Sequence, residues 1–97
     1  TTVGRLAVIN TLASSDHDCD LGDAAHLCPG VRLAGLVRVG VGGWVGVGGV
    51  VRDRVRLGDW SYAGAGAVVV SDLPAGALAV GVPARVIGRS PYAPKKT

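Results

Sequence analysis

Hydrophobic residues return along this chain at every sixth position. Stepping from Val3, the series reads Val3, Ile9, Ser15, Leu21, Leu27, Leu33, Val39, Val45, Val51, Leu57, Ala63 and Val69, and ten of these twelve are Val, Ile or Leu. Glycine follows directly at Gly4, Gly22, Gly40, Gly46, Gly58 and Gly64. Four positions after each leading residue stand Ala7, Ala13, Cys19, Ala25, Val31, Val37, Gly43, Gly49, Val55, Ser61 and Ala67, all small or β-branched. An unbroken hexapeptide period is the signature of a parallel β-helix. Each unit supplies one short strand and one turn, and three units close a triangular coil. Twelve units therefore predict about four coils, with strands stacked roughly 4.8 Å apart. The leading aliphatic is expected to face inward, and the glycine after it to sit at a corner with unusual backbone angles. A helix is excluded over Val39–Val50, where six of twelve residues are glycine.

The repeat is in phase at the third residue, and its register ends at Val69-Val70-Ser71-Asp72. These limits predict an all-β chain with a β-helix domain over 3–74, a closing cap over 75–88 and a flexible basic tail over 89–97. The chain has 97 residues and no Met, and a solenoid normally ends in an atypical capping unit. A fragment of a longer protein is the expectation. A short open solenoid buries little apolar surface for each residue it orders, so association into an oligomer is also expected.

Composition narrows the partners. The formal net charge is +3, with arginines spread along the chain rather than gathered in a stripe. That spacing argues against nucleic acid and is compatible with a small anionic molecule. The longest stretch without a charged residue, Val39 to Val51, is too short and glycine-rich to span a bilayer. Cys19 falls on the inward small-residue position of the repeat and Cys28 on the glycine position, and both read as buried free thiols, which fits a reducing cytoplasm.

The glycine run Val39–Gly46 does not have the G-x-G-x-x-G spacing of a nucleotide fingerprint and reads as repeat corners. The polar stretch Ser14-Ser15-Asp16-His17-Asp18 is the one lapse of the leading aliphatic register to a polar residue. A His flanked by carboxylates there is a candidate general base, since a neighbouring carboxylate orients the imidazole and raises its basicity. The bland alternative is a solvated corner His. His26 lies half a coil further on, which puts the two histidines on different faces of one chain. A two-His metal site within one subunit is therefore not expected, although the two can meet across a subunit interface. A zinc-dependent carbonic anhydrase on this scaffold needs three His ligands, and the chain has two.

The segments Ile9-Asn10-Thr11, Asp16-His17-Asp18-Cys19, Gly22-Asp23-Ala24-Ala25-His26, Pro29-Gly30-Val31 and Leu33-Ala34-Gly35 resemble sugar O-/N-acetyltransferases of the sialic-acid acetyltransferase (NeuD/PglD) type. Ala63-Gly64-Ala65-Gly66-Ala67-Val68-Val69 and Gly81-Val82-Pro83-Ala84-Arg85 are similar to that family's last coils and closing motif. The resemblance implies a left-handed β-helix assembled as a homotrimer, with acetyl-CoA as co-substrate, a sugar acceptor and no metal. It implies that His17 is the general base and Asp18 its acidic partner. His26 and the Gly35 backbone would contact the acetyl end. Val47 and Ala65 would contact the pantetheine arm, and Gly81, Pro83 and Arg85 would lie near the nucleotide. Asn10 would orient the acceptor or the base. The family usually begins with a small Rossmann-like domain holding the sugar nucleotide, absent from this stretch, so an incomplete acceptor pocket is expected. Two alternatives stand beside this reading: a serine- or maltose-type hexapeptide acyltransferase, and a non-catalytic β-helix trimerisation module.

Overall fold

The computed structural model describes residues 2–93, and these form fourteen short strands. The first coil comprises β1 (Thr2–Val3), β2 (Val8–Ile9) and β3 (Ser14–Ser15), and the second β4 (Asp20–Leu21), β5 (His26–Leu27) and β6 (Arg32–Leu33). The third comprises β7 (Arg38–Val39), β8 (Trp44–Val45) and β9 (Val50–Val51), and the fourth β10 (Arg56–Leu57), β11 (Tyr62–Ala63) and β12 (Val68–Val69). Two longer strands follow, β13 (Ala77–Val80) and β14 (Arg85–Arg89). Parallel pairing joins Thr2 to Asp20, Asp20 to Arg38 and Arg38 to Arg56, so each coil advances the register by one full set of three units. Three faces result: β1-β4-β7-β10, then β2-β5-β8-β11 continued by β13 and β14, then β3-β6-β9-β12. This is the left-handed parallel β-helix of about four coils that the hexapeptide period and the resemblance together predict.

The leading residues line the axis. Leu27, Val45 and Val51 are fully buried, as are Cys19, Ala25, Val31, Val37 and Ala67 from the small-residue row. Burial of each aliphatic contributes roughly 1.5–3 kcal/mol. At the first coil the same register stays half-open, with Val3 51% and Ile9 41% exposed, because those side chains have a packed layer on one side only.

The glycines after the leading residues differ from expectation. Left-handed backbone falls two residues later, at Leu6, Leu12, Asp18, Ala24, Gly30, Leu36, Gly42, Gly48, Arg54, Trp60 and Gly66. Most of these carry side chains. From the second coil on, the N–H of such a residue donates to the preceding coil's turn, as from Leu36 to His17 O at 3.0 Å, which offsets the strain of that conformation. The glycines are needed instead for close stacking. A Cβ on Gly22 would lie 2.7 Å from the Gly40 carbonyl carbon, and one on Gly46 would lie 2.6 Å from the Ala65 nitrogen.

Past the fourth coil, β13 stacks in parallel on β11 and β14 returns antiparallel beside it. Their connection, 81–84, crosses the corner above β12: Val68 N–H donates to Gly81 O at 3.0 Å, and Ala84 N–H to Val68 O at 2.8 Å. Residues 94–97 of the expected tail lie outside the described residues.

Ser61 occupies an inward small-residue position with its Oγ buried and without a hydrogen-bond partner among the described residues. Ser61→Ala removes an unsatisfied buried hydroxyl and is expected to stabilise the chain by about 1 kcal/mol. Urea unfolding should show a higher midpoint at unchanged slope.

Candidate functional site

The turn between β3 and β4 carries His17. Asp16 Oδ1 accepts the His17 N–H at 2.8 Å, and Asp18 takes the left-handed position with φ of 57°. This local fold throws both side chains outward. His17 Nδ1 lies 3.4 Å from Asp18 Oδ2, and the two side chains are 68% and 74% exposed. With Nδ1–H directed at the carboxylate, Nε2 is left with its lone pair free to accept a proton.

One coil further on, the same corner carries Gly35. A Cβ placed there would meet His17 Nε2 at 2.6 Å and Cε1 at 2.7 Å, so the imidazole lies directly over this residue and would have to swing away from any side chain here. The neighbouring N–H groups are bonded, Ala34 to Val51 O and Leu36 to His17 O, both at 3.0 Å. The Gly35 N–H has no partner among the described residues. Behind the turn, buried Cys19 places its Sγ 3.1 Å from Ala34 O and 3.9 Å from His17 O. A shallow groove of about 380 Å³ opens beside this corner, lined by Ser14, Ser15, Asp16, Arg32, Leu33, Ala34, Val50 and Val51. It lies where Ser15 breaks the aliphatic register.

A second corner, joining the β2 and β3 faces, gathers another group. Asn10, Val47 and Ala65 stand in its turns of the first, third and fourth coils, with Gly81 and Pro83 in the connection above. The carbonyl of Val47 is used by the Gly66 N–H at 2.8 Å, while the N–H groups of Val47 and Ala65 have no partner among the described residues and both residues are exposed. Pro29 fills the same turn position one coil below, where no N–H exists to satisfy. Asn10 Oδ1 accepts the Thr11 N–H at 2.7 Å. Arg85 opens β14 beside Val80. Within one chain, then, His17, Asp18 and Gly35 come together, Asn10, Val47, Ala65, Gly81 and Pro83 form a separate line, and His26 joins neither.

His26 faces outward from β5. Its ring stacks on Trp44 of β8, with centroids 4.1 Å apart and planes 18° from parallel, and Trp44 aligns with Tyr62 of β11 at 5.9 Å. Tyr92 tilts against both Trp44 and Tyr62. This aromatic column was not singled out by the six-residue pattern; residues 26, 44 and 62 are one coil apart, and only a scan at the coil period reveals them. Both cysteines are free and buried. Burial pushes the Cys28 thiol above its ordinary 9.0, partly offset by a hydrogen bond from Trp44. Among the described residues no group of three His, Cys, Asp or Glu is placed to hold a metal, and no helix is long and apolar enough to cross a membrane.

No family model matches the chain. It is 41% identical over 105 residues to the galactoside O-acetyltransferase of Escherichia coli, covering 88% of this chain and 52% of that protein. It superposes with a TM-score of 0.88 and 52% identity on PerB, a perosamine N-acetyltransferase of Caulobacter crescentus crystallised with CoA and GDP-perosamine, covering 89% of this chain and 42% of that one. It superposes with a TM-score of 0.82 and 40% identity on the acetyltransferase domain of PglB from Neisseria gonorrhoeae in complex with acetyl coenzyme A, covering 84% and 40%. The chain spans about half or less of the length of these relatives. In sequence and in fold it is similar to sugar acetyltransferases of the hexapeptide-repeat type.

The raised Cys28 thiol gives a signed pH effect. The folded state favours the neutral thiol, so its contribution is complete below 9.0 and declines as pH rises through that value. Urea unfolding of wild type and Cys28→Ala from about pH 8 to about pH 10 should show a steeper loss of stability in the wild type.

Proposed function

We propose that this chain carries the acetyl-transferring site of an acetyl-CoA-dependent sugar acetyltransferase, working as a homotrimer in the cytoplasm on an amino or hydroxyl group of a nucleotide-linked sugar. The observation that carries the reading is the His17 imidazole lying over Gly35, with Nδ1 toward Asp18 and an unpartnered backbone N–H in the peptide beneath. The similarity to proteins crystallised with CoA, acetyl coenzyme A and GDP-perosamine supports the substrate classes. The β-helix over 3–74 supplies the site and the segment 75–88 closes it.

In this mechanism His17 Nε2 takes the proton of the acceptor nitrogen or oxygen as that atom attacks the thioester carbonyl carbon. Asp18 holds the imidazole by Nδ1–H and stabilises the imidazolium that forms. The carbonyl electron pair moves to oxygen, and the Gly35 N–H donates to the resulting oxyanion. Collapse re-forms the carbonyl, breaks the carbon–sulfur bond and releases CoA, whose sulfur takes the proton back from His17. The open N–H groups of Val47 and Ala65 stand in line along one corner and suit the amide carbonyls of the pantetheine arm. Gly81, Pro83 and Arg85 are assigned to the nucleotide end, and Asn10 to the acceptor. His26 would reach the acetyl end from a neighbouring subunit, since its face lies away from the His17 corner of its own chain.

His17→Ala should lower acetyl transfer from acetyl-CoA to a nucleotide-linked amino sugar by about 100-fold to 10,000-fold. Calorimetry should still find CoA bound, within about twofold of wild type. Full activity in that variant rejects the assigned base. Val47→Pro removes one N–H in a backbone that already accepts Pro29 one coil below, and should weaken CoA binding by about three- to tenfold without unfolding the chain.

A further inference from the structure

The Ala34–Gly35 peptide has its two polar ends in opposite surroundings. Its carbonyl oxygen points into the solenoid and meets the Cys19 thiol at 3.1 Å, where Cys19 is fully buried. Its N–H belongs to the same rigid plane, and in a trans peptide it points the other way. That direction is toward the surface, on the side where the His17 ring covers Gly35. Glycine is the residue whose flanking peptides rotate most freely, so an outward N–H at Gly35 needs something to hold the plane. Ala34 N–H and Leu36 N–H fix the adjoining peptides through Val51 O and His17 O, and Gly35 O is held by the Arg54 N–H at 3.0 Å. Among the described residues, the one hydrogen bond made by the Ala34–Gly35 plane itself is that with the thiol.

We propose that Cys19 is a positioning residue: its S–H donates to Ala34 O and locks the peptide so that the Gly35 N–H faces the reacting carbonyl. The inference rests on the reading of Gly35 as oxyanion donor. The same sulfur lies 3.9 Å from His17 O, so the buried side chain also packs behind the backbone of the proposed base. At this corner the next two coils fill the inward position with Val37 and Val55, so the thiol stands where the repeat otherwise places a β-branched aliphatic. The other two corners fill their inward position with Ala25, Ala67 and the hydroxyl-bearing Ser61, so the repeat accommodates alanine and serine at inward positions.

The test compares Cys19→Ala with Cys19→Ser in the 97-residue chain, labelled with 15N-glycine. Cys19→Ala should lower kcat about tenfold, short of the ~100-fold loss that follows removal of an oxyanion donor itself, with KM for acetyl-CoA within about twofold. Cys19→Ser keeps a donor and should recover kcat to within about threefold of wild type. In the free protein the Gly35 amide resonance should shift or split in Cys19→Ala and stay near its wild-type position in Cys19→Ser. An unmoved Gly35 amide in Cys19→Ala overturns the proposal, and so does an unchanged kcat accompanied only by a lower unfolding midpoint. Absence of transfer in the wild type would count against the proposed function alone, because the amide measurement still decides the orientation.

Discussion

Every feature of this chain depends on coils that stack in strict register. A strand of two residues cannot hold itself together; it survives because its N–H and C=O groups are paired above and below. Register in turn requires that every turn be the same length, which is why no insertion interrupts the period. The corners then lie above one another, and stacked corners leave no room for a Cβ at positions such as Gly22 and Gly46. The hydrophobic axis, the left-handed turn residues and the glycine pattern are consequences of one condition, equal coils laid directly on each other.

The same condition builds the site from backbone as much as from side chains. A side chain at a corner sits over the residue one coil away, so His17 and Gly35 meet although they are distant in sequence. The second residue of a turn presents its N–H outward, and the corner repeats that group at regular steps. Some steps are closed by carboxylates, as Asp23 does for Arg5 and Asp59 for Val41. Others, at Gly35, Val47 and Ala65, are left open. A surface with few charged partners can thus offer a ruled line of donors.

Much of this was readable in advance because the period is short and the lapse is local. The leading aliphatics announced the axis, and the polar break at Ser15 pointed to the corner where His17, Asp18 and the groove are found. Three things were not readable at that scale. The glycines were assigned to unusual backbone angles, whereas those angles fall on Leu6, Asp18 and Leu36 and the glycines answer to contacts between coils. The column His26, Trp44 and Tyr62 repeats once per coil, so a six-residue window cannot see it. The bond from Cys19 to Ala34 joins two stacked turns of one corner through the interior, and no spacing rule encodes it.

The half-open first coil sets up a gradient along the axis. In a solenoid, cohesion passes only between neighbouring layers, so a layer packed on one side opens more easily than those within. His17 and Asp18 close that first layer, whereas Gly35 belongs to the second, where Val31, Leu33 and Val37 are almost wholly buried. Within these 97 residues His17 is therefore carried on the softer layer and Gly35 on the firmer one. Warming the 97-residue chain should part the His17 ring from Gly35 while most of the ladder is still intact.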